Sequence, residues 1–143
     1  MITVFTPSYN RRKELENLYE SLLKQKDANF EWLIVDDGSA DDTKDYIEKL
    51  QKKSKINIRY VYKENGGKQS AYNLGLKEAK GDIFLCIDSD DILSNNVLSD
   101  IEKDFKTLDK EVCGVMYMQS YIDSKDQIIG TYFPDNIDIE YYY

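Results

Sequence analysis

The chain has 143 residues, 41% hydrophobic and 32% charged, with a net charge of −8 and no histidine. That balance excludes a disordered chain and a nucleic-acid surface of the basic-face kind, so no nucleic-acid partner is expected. Without His, the commonest general base and zinc ligand are gone, and acid–base work falls to carboxylates, Lys or Tyr. In chain order, Met1 to Thr6 is a β-branched strand followed by a loop at Pro7-Ser8-Tyr9-Asn10, because Pro7 cannot donate to a ladder. Leu15, Leu18, Tyr19 and Leu22 recur at helical spacing and predict a helix from Arg12 to Gln25. Phe30 to Val35 reads as a second strand, ending in Asp36-Asp37-Gly38-Ser39, a turn in which Gly38 can take positive φ. Thr43, Tyr46, Ile47 and Leu50 mark a second helix, with Ser39 or Asp41 as its cap.

Ile56 to Tyr62 alternates as a third strand, and Glu64-Asn65-Gly66-Gly67-Lys68 follows as a flexible loop. Ala71, Leu74, Gly75 and Ala79 form the small inward face of a third helix, which Gly81 closes as the residue past its C-cap. The apolar run Asp82 to Ile87 reads as a buried strand and ends in Asp88-Ser89-Asp90-Asp91. Val97, Leu98, Ile101, Phe105 and Leu108 give a fourth helix. Val112 to Tyr121 and Gln127 to Phe133 predict two more strands joined by a polar turn at Asp123 to Asp126. The two cysteines, Cys86 and Cys113, lie in apolar runs with no Cys-x-x-Cys pairing, which predicts buried, reduced thiols in a cytoplasmic chain. No apolar run approaches the ~20 residues needed to cross a bilayer.

Strand–helix alternation over this length predicts an α/β fold, a mostly parallel sheet flanked by helices in one domain, 1–143. In such sheets ligands sit beyond the carboxyl ends of the strands, where the strand order reverses. If the first three strands build outward as 3-2-1 and the fourth pairs beside the first, that point lies between strands one and four. Pro7-Ser8-Tyr9 would then meet Asp88-Ser89-Asp90-Asp91, with Asp36-Asp37 and Gly66-Gly67-Lys68 on the same rim. Three like charges in four residues at a strand end need a cation or a set of donors. Mg²⁺ or Mn²⁺ suits them, since such ions take one or two carboxylates plus substrate phosphates; an acidic helix-capping turn is the plain alternative. Tyr9 either stacks on a flat base or packs on the adjacent helix. Asp37 either accepts a hydrogen bond from a base or ribose or serves its turn. Lys68 either neutralises a phosphate or is a solvated lysine. No Gly-x-Gly-x-x-Gly follows the first strand, and there is no Walker A loop.

Thr6-Pro7-Ser8-Tyr9-Asn10-Arg11, Val35-Asp36-Asp37-Gly38-Ser39, Gly66-Gly67-Lys68 with Asn73-Leu74-Gly75, and Asp88-Ser89-Asp90-Asp91 resemble, in order and spacing, the family-2 glycosyltransferases of the GT-A fold, over roughly residues 2 to 120. The resemblance implies a Rossmann-like donor-binding fold and a nucleotide-sugar, by the family's usual base a UDP-sugar. Pro7 and Tyr9 fall where the family lines the base, Asp37 where its carboxylate bonds the base, and Lys68 near the basic residue that faces base or diphosphate. Asp88 and Asp90 match the Asp-x-Asp motif, Asp90 most directly on Mn²⁺ or Mg²⁺ and Asp88 toward ribose and metal. It further implies inverting transfer of a hexosyl or N-acetylhexosaminyl group to a saccharide or lipid-linked acceptor in polysaccharide assembly, with peripheral association at the inner membrane face.

The family's catalytic base lies well beyond the Asp-x-Asp, and here Asp123, Asp126 and Asp135 are candidates by charge alone. The expectation is therefore a donor-binding part whose base lies beyond Tyr143, transferring sugar poorly or not at all by itself. Two rivals fit less well. A nucleotidyltransferase would carry a Gly-rich basic loop after the first strand, and a non-catalytic receiver-type module would carry a phosphoacceptor Asp on the third strand, where Tyr60-Val61-Tyr62 stands.

Overall fold

Strand β1 (Ile2–Ser8) is buried along its whole length, and that fixes its position inside a sheet rather than at an edge. It pairs in parallel with β2 (Phe30–Asp36) on one side and β4 (Ile83–Cys86) on the other, while β3 (Asn57–Tyr62) extends the sheet from β2. The order β3-β2-β1-β4 meets the condition on which the placement of the rim between strands one and four depended. The protein is represented by a computed structural model that describes residues 1–109, 111–112, 114–115, 117, 119–123, 125 and 127–132. Cys113, Asp126, Phe133 and Asp135, for which expectations were given above, lie outside the described residues. The chain divides into two units, Met1–Thr107 and Leu108–Tyr143.

In the first unit, helices α1 (Arg12–Leu23), α2 (Thr43–Lys53), α3 (Lys68–Glu78) and α4 (Val97–Thr107) link and flank the strands. Strand alternation sends Phe5, Leu33 and Val35 to the face covered by Ala71 of α3, with Tyr72 and Phe84 packed around them. Phe5 stacks on Phe84 and meets Tyr72 edge-on. On the opposite face Tyr19 of α1 stacks on Trp32, whose indole N–H donates to Thr6 Oγ1 at 3.0 Å. Buried Leu15, Leu18 and Leu22 confirm the apolar stripe read from the sequence.

The amino ends of the strands are tied by a buried carboxylate. Glu31 is fully buried and accepts from Thr3 Oγ1 at 2.8 Å and from the Lys80 amide at 3.0 Å. Arg59 bridges it to Glu78. These bonds clamp the α3–β4 connection under β1 and compensate a charge that would otherwise be costly inside.

Four expectations change. Strand β1 runs on through Pro7 and Ser8, which stand in parallel register with Val35 and Asp36, so the loop begins at Tyr9; Pro7 lacks the amide donor yet keeps its place in the strand. Gly81 is not a left-handed helix cap; α3 ends at Glu78 with Ala79 in extended backbone. A Cβ at Gly81 would stand 2.5 Å from the Thr3 nitrogen and 2.7 Å from the Met1 carbonyl, so close approach to β1 is what requires glycine there. Strand β4 is half-buried rather than buried, and Cys86 is exposed, because β4 is the last strand of this sheet among the described residues. The cap of α2 is Asp42 by position and makes no side-chain cap bond; Asp41 instead accepts from the Thr43 amide, and Ser39 Oγ accepts from the Asn10 amide.

In the second unit, β5 (Gln119–Ile122) and β6 (Ile128–Tyr132) form an antiparallel pair. Its turn is held by Asp123, which accepts from the amides of Lys125 and Gln127 at 2.8 and 3.0 Å. Turn chemistry therefore accounts for Asp123, the one described member of the three candidate bases. Among the described residues β5 begins at Gln119, inside the stretch from Val112 that the sequence marks as a strand.

Gly81→Ala should destabilise the protein by about 1–3 kcal/mol, since the methyl meets backbone that cannot turn away. Urea unfolding should show a lower midpoint with an unchanged slope.

Candidate functional site

Parallel strands deliver their carboxyl ends to one rim, and four loops leave from it. The loops after β1 and β2 are zipped together: Asn10, at φ 52°, accepts from the Ala40 amide through Oδ1 and donates its own amide to Ser39 Oγ, both at 2.8 Å. The loop after β3 is pinned to the loop after β2 by Asp37. Its Oδ1 accepts from Lys63 Nζ and from the Gly66 amide at 3.0 Å, and its Oδ2 from the Gly67 amide at 2.7 Å. Asn65 donates to the Asp37 carbonyl at 2.9 Å. Gly38, at φ 84°, lets Asn65 approach, for a Cβ would stand 2.8 Å from its nitrogen. Gly67, at φ 87°, starts α3 and sends Lys68 across the rim, where Nζ meets Asp88 Oδ2 at 2.7 Å.

Between these loops lies a cleft of about 380 Å³. Its lining includes all six residues singled out in the sequence: Pro7, Tyr9, Asp37, Lys68, Asp88 and Asp90. They come from the ends of β1, β2 and β4 and the start of α3, across the reversal in strand order. Tyr9 is 51% exposed, so its ring is available rather than packed on a helix. The sequence reading missed Lys63, the charge partner of Asp37, and gave no task to Arg11, Asn65 and Ser89, which line the same cleft. The Lys63–Asp37 contact joins residues far apart in the chain, and no local spacing announces it.

The electrostatics divide the carboxylates. Burial works to raise the Asp37 carboxyl, but the Lys63 ammonium and the Gly66 and Gly67 amides outweigh it and hold the group below the usual Asp range. The Asp88 bond raises Lys68, on a pair that is largely exposed and so weakly held. Asp91 is raised by partial desolvation and by the charges of Asp88 and Asp90. Asp90 has no side-chain hydrogen bond among the described residues.

A divalent cation fits this donor set. Asp90 and the second oxygen of Asp88 are hard oxygen ligands left unused at the cleft, beside a third carboxylate whose charge they oppose. No group of three or more ligating side chains gathers among the described residues. An ion held here would therefore draw its remaining ligands from a phosphorylated partner and water, the usual habit of Mg²⁺.

Residues 3–135 match the family described as "Glycosyl transferase family 2". The chain belongs to glycosyltransferase family 2. Among its relatives, glycosyltransferase GlyG of Streptococcus pneumoniae serotype 4 is 31% identical over 145 aligned residues, covering 100% of this chain and 43% of GlyG. The crystal structure of Staphylococcus aureus TarS 1–349 with UDP-GlcNAc is 33% identical, with a TM-score of 0.66 over 73% of this chain and 31% of that one. The mannosyltransferase PcManGT of Pyrobaculum calidifontis, in complex with GDP-Man and Mn²⁺, is 25% identical, with a TM-score of 0.62 over 66% of this chain and 29% of that one. The chain spans between 14% and 43% of the length of the curated relatives it matches. These neighbours share the parallel α/β donor fold of the family. Among the described residues no helix is long and apolar enough to cross a membrane.

The Asp37 pair carries a pH signature. Because the folded pKa lies below the unfolded one, its stabilisation is complete above the unfolded Asp value of about 3.9 and is lost as pH falls through the lower folded value. Asp37→Asn should cost on the order of 2 kcal/mol at pH 7, and clearly less at pH 3. Thermal or urea unfolding of both proteins at the two pH values checks this.

Proposed function

We propose that this chain binds a nucleoside-diphosphate sugar, a UDP-sugar, as the donor-binding domain (residues 1–143) of an inverting glycosyltransferase. In this reading Pro7 and Tyr9 line the base and Asp37 accepts a hydrogen bond from it. Asp88 reaches toward the ribose and shares the cation with Asp90, and Lys68 turns to the diphosphate. The observation that supports it best is the convergence of these six side chains on one cleft at the reversal of strand order. The UDP-GlcNAc and GDP-Man complexes of the family-2 neighbours support a nucleotide-sugar donor, and TarS inclines the transferred group toward an N-acetylhexosamine or hexose. The acceptor in this reading is a saccharide or lipid-linked saccharide, met in the cytoplasm at the inner face of the membrane.

A sugar–phosphate bond breaks with negative charge growing on the departing diphosphate, and the chemistry that an Mn²⁺ or Mg²⁺ would supply here is neutralisation of that charge. Asp88 and Asp90 would hold the ion. Lys68 is suited to release Asp88 and follow the phosphates, because its present ion pair is exposed and weakly held. Tyr9, on the rim, offers an aromatic face to the base.

Calorimetric titration with UDP should show binding in Mn²⁺ that weakens strongly when the metal is chelated. Asp90→Ala should lower the affinity for UDP in Mn²⁺ by at least about tenfold, since even outer-shell changes at metal sites cost 10–100-fold; equal affinity would remove Asp90 from the metal. Tyr9→Ala should cost about 1–3 kcal/mol of UDP binding if its ring stacks on the base, with unfolding unchanged. A thermal shift with a phosphoryl mimic and Mg²⁺, but none with UDP and Mn²⁺, would favour the receiver-type alternative.

A further inference from the structure

Lys63 has no part in the motifs that mark the family, yet it is the charge that Asp37 faces. Its backbone amide donates to the Asp36 carbonyl at 2.9 Å, continuing the β3 ladder past Tyr62. Its ammonium donates to Asp37 Oδ1 and to the Glu64 carbonyl. The Lys63 side chain is only 19% exposed and that of Asp37 only 6%. Lysine is among the residues least often buried, and one held this far inside needs a specific partner to offset its desolvation.

The arrangement leaves Asp37 little freedom. Oδ1 takes two donors, Lys63 and the Gly66 amide, and Oδ2 takes the Gly67 amide. A carboxylate offers about four acceptor directions, so what remains for a ligand N–H is one direction at Oδ2. Among the described residues no other cation pairs with Asp37. Neighbouring Asp36 is engaged by the Tyr60 hydroxyl at 2.5 Å and the Ser39 amide at 2.8 Å, and Lys68 on α3 is paired with Asp88. Lys63 also borders the glycine loop: a Cβ at Gly66 would stand 3.0 Å from its Nζ.

We propose that Lys63 is a positioning residue for nucleobase recognition: it holds the Asp37 carboxylate ionised and aimed, so that Oδ2 accepts an N–H from the base of the bound nucleotide. The inference rests on the nucleotide-sugar reading of the cleft and assigns to that reading a residue outside the cleft lining. A neutral side chain at 63 leaves Asp37 with its two amide donors but without the opposing charge. Its protonation then moves to higher pH, and the protonated acid presents a hydroxyl where the base needs an acceptor.

The test combines two measurements on the chain and its Lys63→Met and Lys63→Arg variants: the ¹³C-carboxyl titration of Asp37 by NMR, and calorimetric UDP binding in Mn²⁺ between pH 4.5 and 8. Lys63→Met should raise the Asp37 midpoint by at least about one pH unit; at pH 7, where the carboxylate is ionised in either protein, it should weaken UDP about tenfold because the carboxylate is no longer held in aim. The acid limb of UDP binding should move with the Asp37 midpoint, and Mn²⁺ binding without nucleotide should not change. Lys63→Arg, which keeps the charge, should restore most of the affinity and the low midpoint. Wild-type UDP affinity and an unmoved Asp37 titration in Lys63→Met would overturn the proposal, even if that variant melted early, because a purely structural lysine predicts that result. If Lys63→Met does not fold, the wild-type titration decides, and an Asp37 midpoint at the ordinary value of about 3.9 overturns it. A low Asp37 midpoint in a wild-type chain that binds no UDP would instead overturn the nucleotide-sugar reading, and the proposal with it.

Discussion

The structure depends on one strand being buried on both faces and both edges. β1 has no exposed residue, so it must be covered above and below and paired on either side, by β2 and by β4. A parallel pair requires a crossover, and crossovers in such sheets keep one hand. With β1 central, successive elements build outward to β3 and then return across β1 to β4. That return creates the gap in which the loops after β1, β2 and β4 and the start of α3 face one another. The site follows from where the chain reverses.

The two ends of the sheet use charge differently. At the amino end, Glu31 is fully buried and each neighbour serves it, so the carboxylate acts as a clamp holding α3 and β4 under the first strand. At the carboxyl end the charges are graded. The Asp37–Lys63 pair is mostly buried and shared with two backbone amides, which makes it a fixed part of the rim. The Lys68–Asp88 pair is open to water on both sides, where ion pairs contribute little and exchange partners readily. Asp90 is left without a partner among the described residues. The rim thus holds one fixed pair, one exchangeable pair and, among the described residues, one carboxylate with no hydrogen-bond partner; under the proposed function it would keep its shape while taking up a cation and an anionic ligand together.

The loop that carries the acidic residues is itself held from behind. Ser21 accepts the Leu93 amide, and Gln25 donates to the Ser94 carbonyl and accepts from the Leu98 amide. The carboxyl end of α1 thus steadies the stretch between Asp88 and α4. A polar residue near the end of a core helix acquires a positioning task that its helical periodicity does not suggest.

The sequence by itself determined the alternation of strands and helices and the positions of the polar turns, because these rest on local signals; the six cleft side chains stand out through the likeness of their motifs to the family, and the strand order is supplied by the tertiary structure. Apolar periodicity marks the elements, Pro and Gly mark the turns, and clustered carboxylates mark a strand end. It could not decide what lies beside what at contact distance. Gly81 looks like a helix terminator in one dimension and is a point of close approach to β1 in three. Cys86 sits in an apolar run, yet it is exposed because its strand is the last of the sheet among the described residues. Lys63 reads as one more lysine beside a polar loop, and only folding brings it against Asp37, twenty-six positions earlier. Such pairings depend on the relative position of separate elements. Spacing along the chain reports which face of its own element a residue occupies, and the tertiary structure alone decides what meets that face.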